Sequence, residues 1–262
     1  MAKKFDGTND FGSVALNLSA YNKLSVSAWL WWDSYANDYD MALGFGTPGY
    51  DAVDGWAVLP NFAGGQFQVA HFDVGIGYNS SAFDRASANA WHHYLFTFDR
   101  NGTTGIQHKA FVDGRVVTMT QWDSAAVAGN YANSTLYIMS HASTSLFGAG
   151  RMAELAIWPG VILTQAYAAT LARGELANTI LPERLLFYEP MSFSAASVRA
   201  KSNLVPPPLV TYSGAVWETS PVMREDRWAK RAALNTAAAA ADDLATKFVR
   251  LDDFGALMVS GG

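Results

Sequence analysis

The sequence predicts an all-β antiparallel sandwich that carries a helical C-terminal extension. Three observations predict it. Residues 5 to about 158 form a succession of short β-prone runs separated by clusters of Gly, Asn, Asp and Ser, the spacing of a sandwich or barrel. Half of the 262 residues are apolar and 13% are aromatic, enough to fill one large core. Near Met223 the composition changes. Residues 1 to 222 hold 12 basic and 17 acidic side chains, whereas the last 40 residues hold six of each, so the charge density roughly doubles. The expected division is therefore a β-domain over 1–222 and a helical arm over 223–262.

Each element follows from local pattern. Leu24 to Trp31 alternates apolar and small polar residues, the period of a half-buried strand. Trp91 to Asp99 is dense in aromatics, as central sandwich strands are. The turn signal Arg100-Asn101-Gly102 ends it. His108 to Val112 and Arg115 to Val117 flank Asp113-Gly114, a hairpin signal because both turn residues need positive φ. Leu136 to Met139 and Met152 to Trp158 read as two further strands. Gly44-Phe45-Gly46 and Gly75-Ile76-Gly77 lack the strand–glycine–helix context that binds phosphate, and read as strand breaks or bulges. A short helix follows, capped by Thr164, with Tyr167, Ala168 and Leu171 on one face before Gly174. Leu185 to Tyr188 is expected to be a strand, Pro206 to Pro208 extended, and Val210 to Trp217 one last strand.

The arm is read from propensity and period. Residues 224 to 251 contain no Gly or Pro and include the alanine run Ala237 to Ala241. Leu234, Ala237, Ala241, Leu244, Phe248 and Leu251 recur at 3-4-3-4-3 spacing, the thin apolar seam of a helix that packs on another surface. This seam is the expected interface for a homo-oligomer or another protein.

Composition excludes several functions. The net charge is −5, the wrong sign for a phosphate-neutralising surface, so no nucleic-acid partner is expected. There are no cysteines, which removes disulfides, thiolate metal sites and a Cys nucleophile. No apolar run is long enough to span a bilayer, and no signal-peptide core follows Lys3-Lys4.

Phe5-Asp6-Gly7-Thr8-Asn9-Asp10-Phe11 followed by Leu24 to Trp29 resembles the opening of the laminin-G-like, concanavalin A-like jelly-roll family. Trp91 to Tyr94 with Phe111 to Gly114 is similar to its central hairpin. Gly150 to Trp158 with Leu163-Thr164 is similar to its closing strand and helix. The resemblance covers roughly residues 5 to 176 and implies a two-sheet antiparallel jelly-roll sandwich. It places residues 185 to 217 as edge strands beside the N-terminal strand.

The family includes lectins, adhesion modules, hydrolases and virion proteins, so fold alone does not select among them. Its hydrolases carry Glu-x-Asp-x-x-Glu on one strand. Here Glu154 stands alone on its strand, and Glu175, Glu183 and Glu189 fall in expected helix or loop. No catalytic residue and no enzyme activity are therefore expected. His92 and His93 are adjacent on a strand and point to opposite faces, which disfavours a shared metal; one core-edge and one surface imidazole are expected. Several relatives hold Ca²⁺ at the sandwich rim, which makes Asp6, Asn9 and Asp10, with Asp38 and Asp40, calcium candidates; Asp and Asn are equally turn formers. Trp31, Trp32, Tyr35, Tyr39, Tyr50 and Trp56 crowd one loop-rich region as candidate glycan or protein contacts, with core packing as the alternative. The functional expectation is a non-enzymatic bacteriophage virion structural protein, such as a capsid decoration component, with a glycan-binding adhesion module as the alternative.

Overall fold

The alternating run Leu24–Trp31 lies at the centre of the first of two sheets. In a computed structural model, the structure describes residues 2–35, 39–46, 54–62, 65–103, 107–191, 197–199 and 208–218. In chain order the first strands are β1 (Ala2–Asp6), β2 (Phe11–Asn17), β3 (Lys23–Trp32), β4 (Leu43–Phe45), β5 (Trp56–Phe62), β6 (Gln66–Asp73) and β7 (Gly77–Asp84). Then come β8 (Trp91–Asp99), β9 (His108–Val112), β10 (Arg115–Val116), β11 (Thr120–Ser124), β12 (Asn133–Ile138) and β13 (Ala149–Pro159). Helix α1 (Gln165–Ala172) precedes β14 (Phe187–Glu189), β15 (Ser197–Arg199), β16 (Leu209–Ser213) and β17 (Val216–Glu218).

The first sheet has the order β10-β9-β8-β3-β13-β1-β17, with β14 also paired to β13. The second has the order β11-β7-β6-β5-β4-β12-β2-β16-β15. The named strands pair antiparallel throughout. The architecture is the expected two-sheet antiparallel sandwich with one helix.

Alternation along β8 shows why the layers form. Tyr94, Phe96 and Phe98 point between the sheets into the main core, with Phe5, Val26, Phe45, Trp56, Phe67 and Leu136. Leu95 points the other way, into a second cluster with Phe111, Trp158, Leu163, Ala168 and Leu171. Helix α1 and the turns after it therefore form a third layer on the outer face of the first sheet. Trp158 Nε1 donates to Ile180 O at 2.8 Å and ties that layer down.

This layer changes one expectation. Leu24–Trp31 was read as half-buried, but the serine face of β3 is buried too. Ser25 Oγ donates to Val161 O and accepts from Leu163 N, and Ser27 Oγ bonds His93 Nε2. Small polar residues that look solvent-facing here satisfy the loop leading into the helix. Thr164 occupies the N-cap position, but its side chain makes no capping bond.

The end of the β-domain also departs from expectation. Val210 to Trp217 is not one strand. It breaks at Gly214, φ 72°, so that β16 pairs with β2 in the second sheet and β17 with β1 in the first. Of the edge strands expected beside the N-terminal strand, β17 takes that place, whereas β14 joins β13. Gly75, φ 75°, and Gly77, φ 111°, form the β6–β7 turn rather than a bulge. The chain divides into units Met1–Ser220 and Pro221–Gly262, and the second unit, with the seam residues Leu234, Ala237, Ala241, Leu244, Phe248 and Leu251, lies outside the described residues. Among the described residues no helix is long and apolar enough to cross a membrane.

Candidate functional site

Exposure separates the candidate aromatics. Trp32 and Trp56 are core residues: Trp56 stacks on Phe45 at 6.1 Å and meets Phe98 at 5.5 Å. Both belong to the cluster between the sheets. Trp31 is half-buried, edge-on to Trp91 at 6.2 Å and under the Arg151 guanidinium at 5.0 Å. Tyr50 lies outside the described residues. Tyr35 is half-buried and Tyr39 is 44% exposed.

Tyr39 leads to an arrangement that sequence spacing does not suggest. Its ring meets Phe62 edge-on at 5.5 Å, and Phe62 meets Trp122 edge-on at 5.0 Å. Trp122 is 50% exposed and sits on edge strand β11, at a bulge between Gln121 and Asp123. Its indole Nε1 donates to Gln66 Oε1 at 3.0 Å, which fixes the ring. Three aromatics from separate segments thus make one row at the rim of the second sheet.

A polar hub backs the row. Asn61 O accepts from Tyr39 N at 2.6 Å, Asn61 Nδ2 donates to Tyr35 O at 3.1 Å, and Asn61 Oδ1 accepts from Arg85 Nη1 at 2.6 Å. The Arg85 guanidinium lies 4.1 Å over the Tyr35 ring. Tyr35 Oη donates to Ala86 O at 3.0 Å, and burial raises the pKa of its phenol. An alternating strand would point Asn61 and Phe62 to opposite faces; the irregular register of β5 between Leu59 and Phe62 is where the two are re-aimed.

The calcium candidates form a turn instead of a cage. Asp6 Oδ1 accepts from Thr8 N and Asn9 N, and Asp10 Oδ2 accepts from Asp6 N at 3.0 Å. Burial raises the Asp10 pKa. Asp40 is buried, and Asp38 lies outside the described residues. Among the described residues no three His, Cys, Asp or Glu side chains converge on a point.

The adjacent histidines face opposite ways, His93 in the core and His92 partly exposed at the surface. His93 is fully buried, held by Ser27, and burial takes its pKa down to about 3. His92 Nδ1 bonds Asp113 Oδ2 at 2.8 Å across the hairpin, and its Nε2 meets Ser87 Oγ.

Two carboxylates that looked unrelated come together. Glu189 was expected in a loop, but it lies on β14, paired with Leu155 beside Glu154. Both are buried, at 5% and 0% exposure. Glu154 sits at φ 55° in the bulge of β13, and its Oε2 accepts from Tyr188 Oη at 2.5 Å. Burial raises the Glu189 pKa to about 7, with the Glu154 charge acting in the same direction. Nearby Lys3 is buried, its Nζ 4.2 Å over the Tyr212 ring, and desolvation lowers its pKa. The sequence signal for this pairing was the Phe187-Tyr188-Glu189 run itself, which carries strand character up to the glutamate.

Comparison with known proteins agrees with this architecture. A search of curated proteins gives no match. A native heptameric SAP-like pentraxin from Limulus polyphemus is similar in structure, with TM-score 0.51 at 12% identity, over 67% of this chain and 83% of that one. Domain 4 of the arabinanase AbnA from Geobacillus stearothermophilus gives 0.48 at 18% identity, over 65% and 76%. The binding domain of botulinum neurotoxin serotype G gives 0.49 at 16% identity, over 65% of this chain but only 41% of that one. At 12% identity the likeness to the pentraxin shows the fold alone. The family described as the concanavalin A-like lectin/glucanases superfamily matches residues 6–166. With more than half of its length so matched and two antiparallel sheets in a sandwich, the chain belongs to the concanavalin A-like lectin/glucanases superfamily.

Proposed function

We propose that this protein is a non-enzymatic carbohydrate-binding module. The observation that carries the reading is the Tyr39–Phe62–Trp122 row, held edge to face with Trp122 half exposed and its indole N–H anchored by Gln66. Rigid, exposed aromatic faces bury the apolar faces of sugars at little entropic cost. The half-buried Gln66 beside the row offers an orienting amide. Binding rather than hydrolysis is supported by the burial of Glu154 and Glu189, which a glycosidic bond cannot reach.

A glycan array on the full chain tests this, with hydrolysis assays on β-glucans, galactans and alginate. Binding without turnover is expected, and Trp122→Ala should abolish binding at unchanged thermal stability. Binding that survives Trp122→Ala, or turnover lost on Glu154→Gln, would overturn the reading.

A second reading is a structural component of a bacteriophage virion that assembles through the 234–251 seam as a homo-oligomer or onto other virion proteins. The 3-4-3-4-3 spacing of that seam supports it. Truncation after Met223 is the test. Loss of assembly with retained β circular dichroism supports the reading; identical sedimentation of both chains removes it.

A further inference from the structure

Arg85 differs from the other arginines tied into the fold. Arg100 faces Asp54 at 2.9 Å and Asp73 at 3.3 Å, and Arg151 pairs with Asp33. Among the described residues Arg85 has no carboxylate within ion-pair distance, although its guanidinium is just as firmly placed. One face lies 4.1 Å over Tyr35, Nη1 donates to Asn61 Oδ1 at 2.6 Å, and Gly65 packs against it: a Cβ there would stand 3.5 Å from Cζ and Nη2. A guanidinium carries five N–H donors, and this one spends a single donor on the protein. The acidic residues on the neighbouring strands are Asp84, opposite Gln66, and Asp123, bonded to Ser80. Neither approaches Arg85 as an ion pair.

The position matters as much as the orientation. Asn61, which orients Arg85, also holds Tyr39 through its backbone and immediately precedes Phe62. Cation and aromatic row therefore share one scaffold at one rim. We infer that the oligosaccharide bound on the Tyr39–Phe62–Trp122 row carries an anionic group, a carboxylate or a sulfate, that Arg85 takes as a counter-ion. The inference rests on the carbohydrate-binding reading. A planar, pre-oriented fork suits a two-oxygen anion, and its partial desolvation strengthens the pair. A polyphosphate backbone is a poorer fit, because it needs several cations and the chain is net negative at −5.

The test compares matched glycans that share one backbone in neutral, carboxylated and sulfated forms, on an array and then by calorimetry with the full chain. The carboxylated or sulfated form should bind about tenfold tighter than the neutral one, with the gap shrinking as salt is added. The better of the two anionic forms identifies the group. Arg85→Gln should remove the preference, read as the ratio of anionic to neutral affinity in the same variant, while Trp122→Ala should weaken all three forms. The wild-type comparison stands even if Arg85→Gln misfolds, and Arg85→Lys, which keeps the charge without the fork, should retain only part of the gap. Equal binding of neutral and anionic forms would overturn the inference and leave the carbohydrate reading intact. Binding of none would overturn both.

Discussion

The phenol of Tyr188 donates a hydrogen bond to the Glu154 carboxylate at 2.5 Å, with both groups buried at the bulge where β13 exchanges β1 for β14 as its neighbour. Removing the donor leaves a buried carboxylate poorer by one bond. Tyr188→Phe should therefore lower stability by about 1–3 kcal/mol, read as a drop in Tm. An unchanged Tm would mean that solvent replaces the phenol.

Stability should depend on pH in two opposite ways. His71 and His93 have pKa values lowered by burial to about 3, and His108 is lowered as well. Their folded values lie below the unfolded 6.5, so their contribution is complete above pH 6.5 and is lost as pH falls towards 3. Glu189 runs the other way. Its folded pKa of about 7 lies above the unfolded 4.5, so its burial costs stability progressively as pH rises from about 4.5 to 7. Glu189→Gln should therefore flatten the decline between pH 5.5 and 8 and leave the acid limb in place. Denaturant titrations of both chains across this range would show it, and an unaltered slope above pH 5.5 would place the Glu189 pKa near its ordinary value.

The β9–β10 hairpin turns on Asp113, φ 50°, and Gly114, φ 80°. The turn also packs on the helix: a Cβ on Gly114 would stand 2.7 Å from Ala169 Cα. Gly114→Val should cost about 1–3 kcal/mol for the φ strain alone and more for the contact. Gly114→Ala keeps the positive-φ penalty and the Ala169 contact but avoids β-branching, and should therefore cost less than Gly114→Val. Equal stability of both variants to wild type would refute this packing.

Gly214 carries the chain from one sheet to the other, and a Cβ there would fall 1.7 Å from Asp10 Oδ1. Gly214→Ala should be strongly destabilising. Asp10→Ala alone should cost about 1 kcal/mol by removing the acceptor for Asp6 N. The double variant should be less destabilised than the sum, because the second change removes the clash. Strict additivity in urea unfolding would show that Asp10 does not pack on Gly214.

Two tryptophans should behave oppositely. Trp56→Ala empties part of the core between Phe45 and Phe98 and should cost about 3–5 kcal/mol. Trp122→Ala should shift Tm little, since half of that side chain is already in water, and should act on ligand binding instead. Paired melting curves and binding isotherms decide it.

Strand identity and hairpin chemistry were legible in the chain because both are local. Alternation from Leu24 to Trp31, the aromatic run from Trp91 and the Asp113-Gly114 turn each depend on neighbours a few residues away. The four blocks in order then sufficed for the sandwich. What the tertiary structure decided was coverage and encounter. Trp32 and Trp56 look like Trp122 in composition, but register points the first two between the sheets and leaves the third on an edge strand. Ser25 and Ser27 read as solvent-facing until a helical layer covers their side of the sheet. Glu189 meets Glu154, and Tyr39, Phe62 and Trp122 form a row, only because strands distant in sequence are neighbours in space. Local pattern sets which residues extend and turn; only long-range pairing sets which faces are dry, and which side chains share a site.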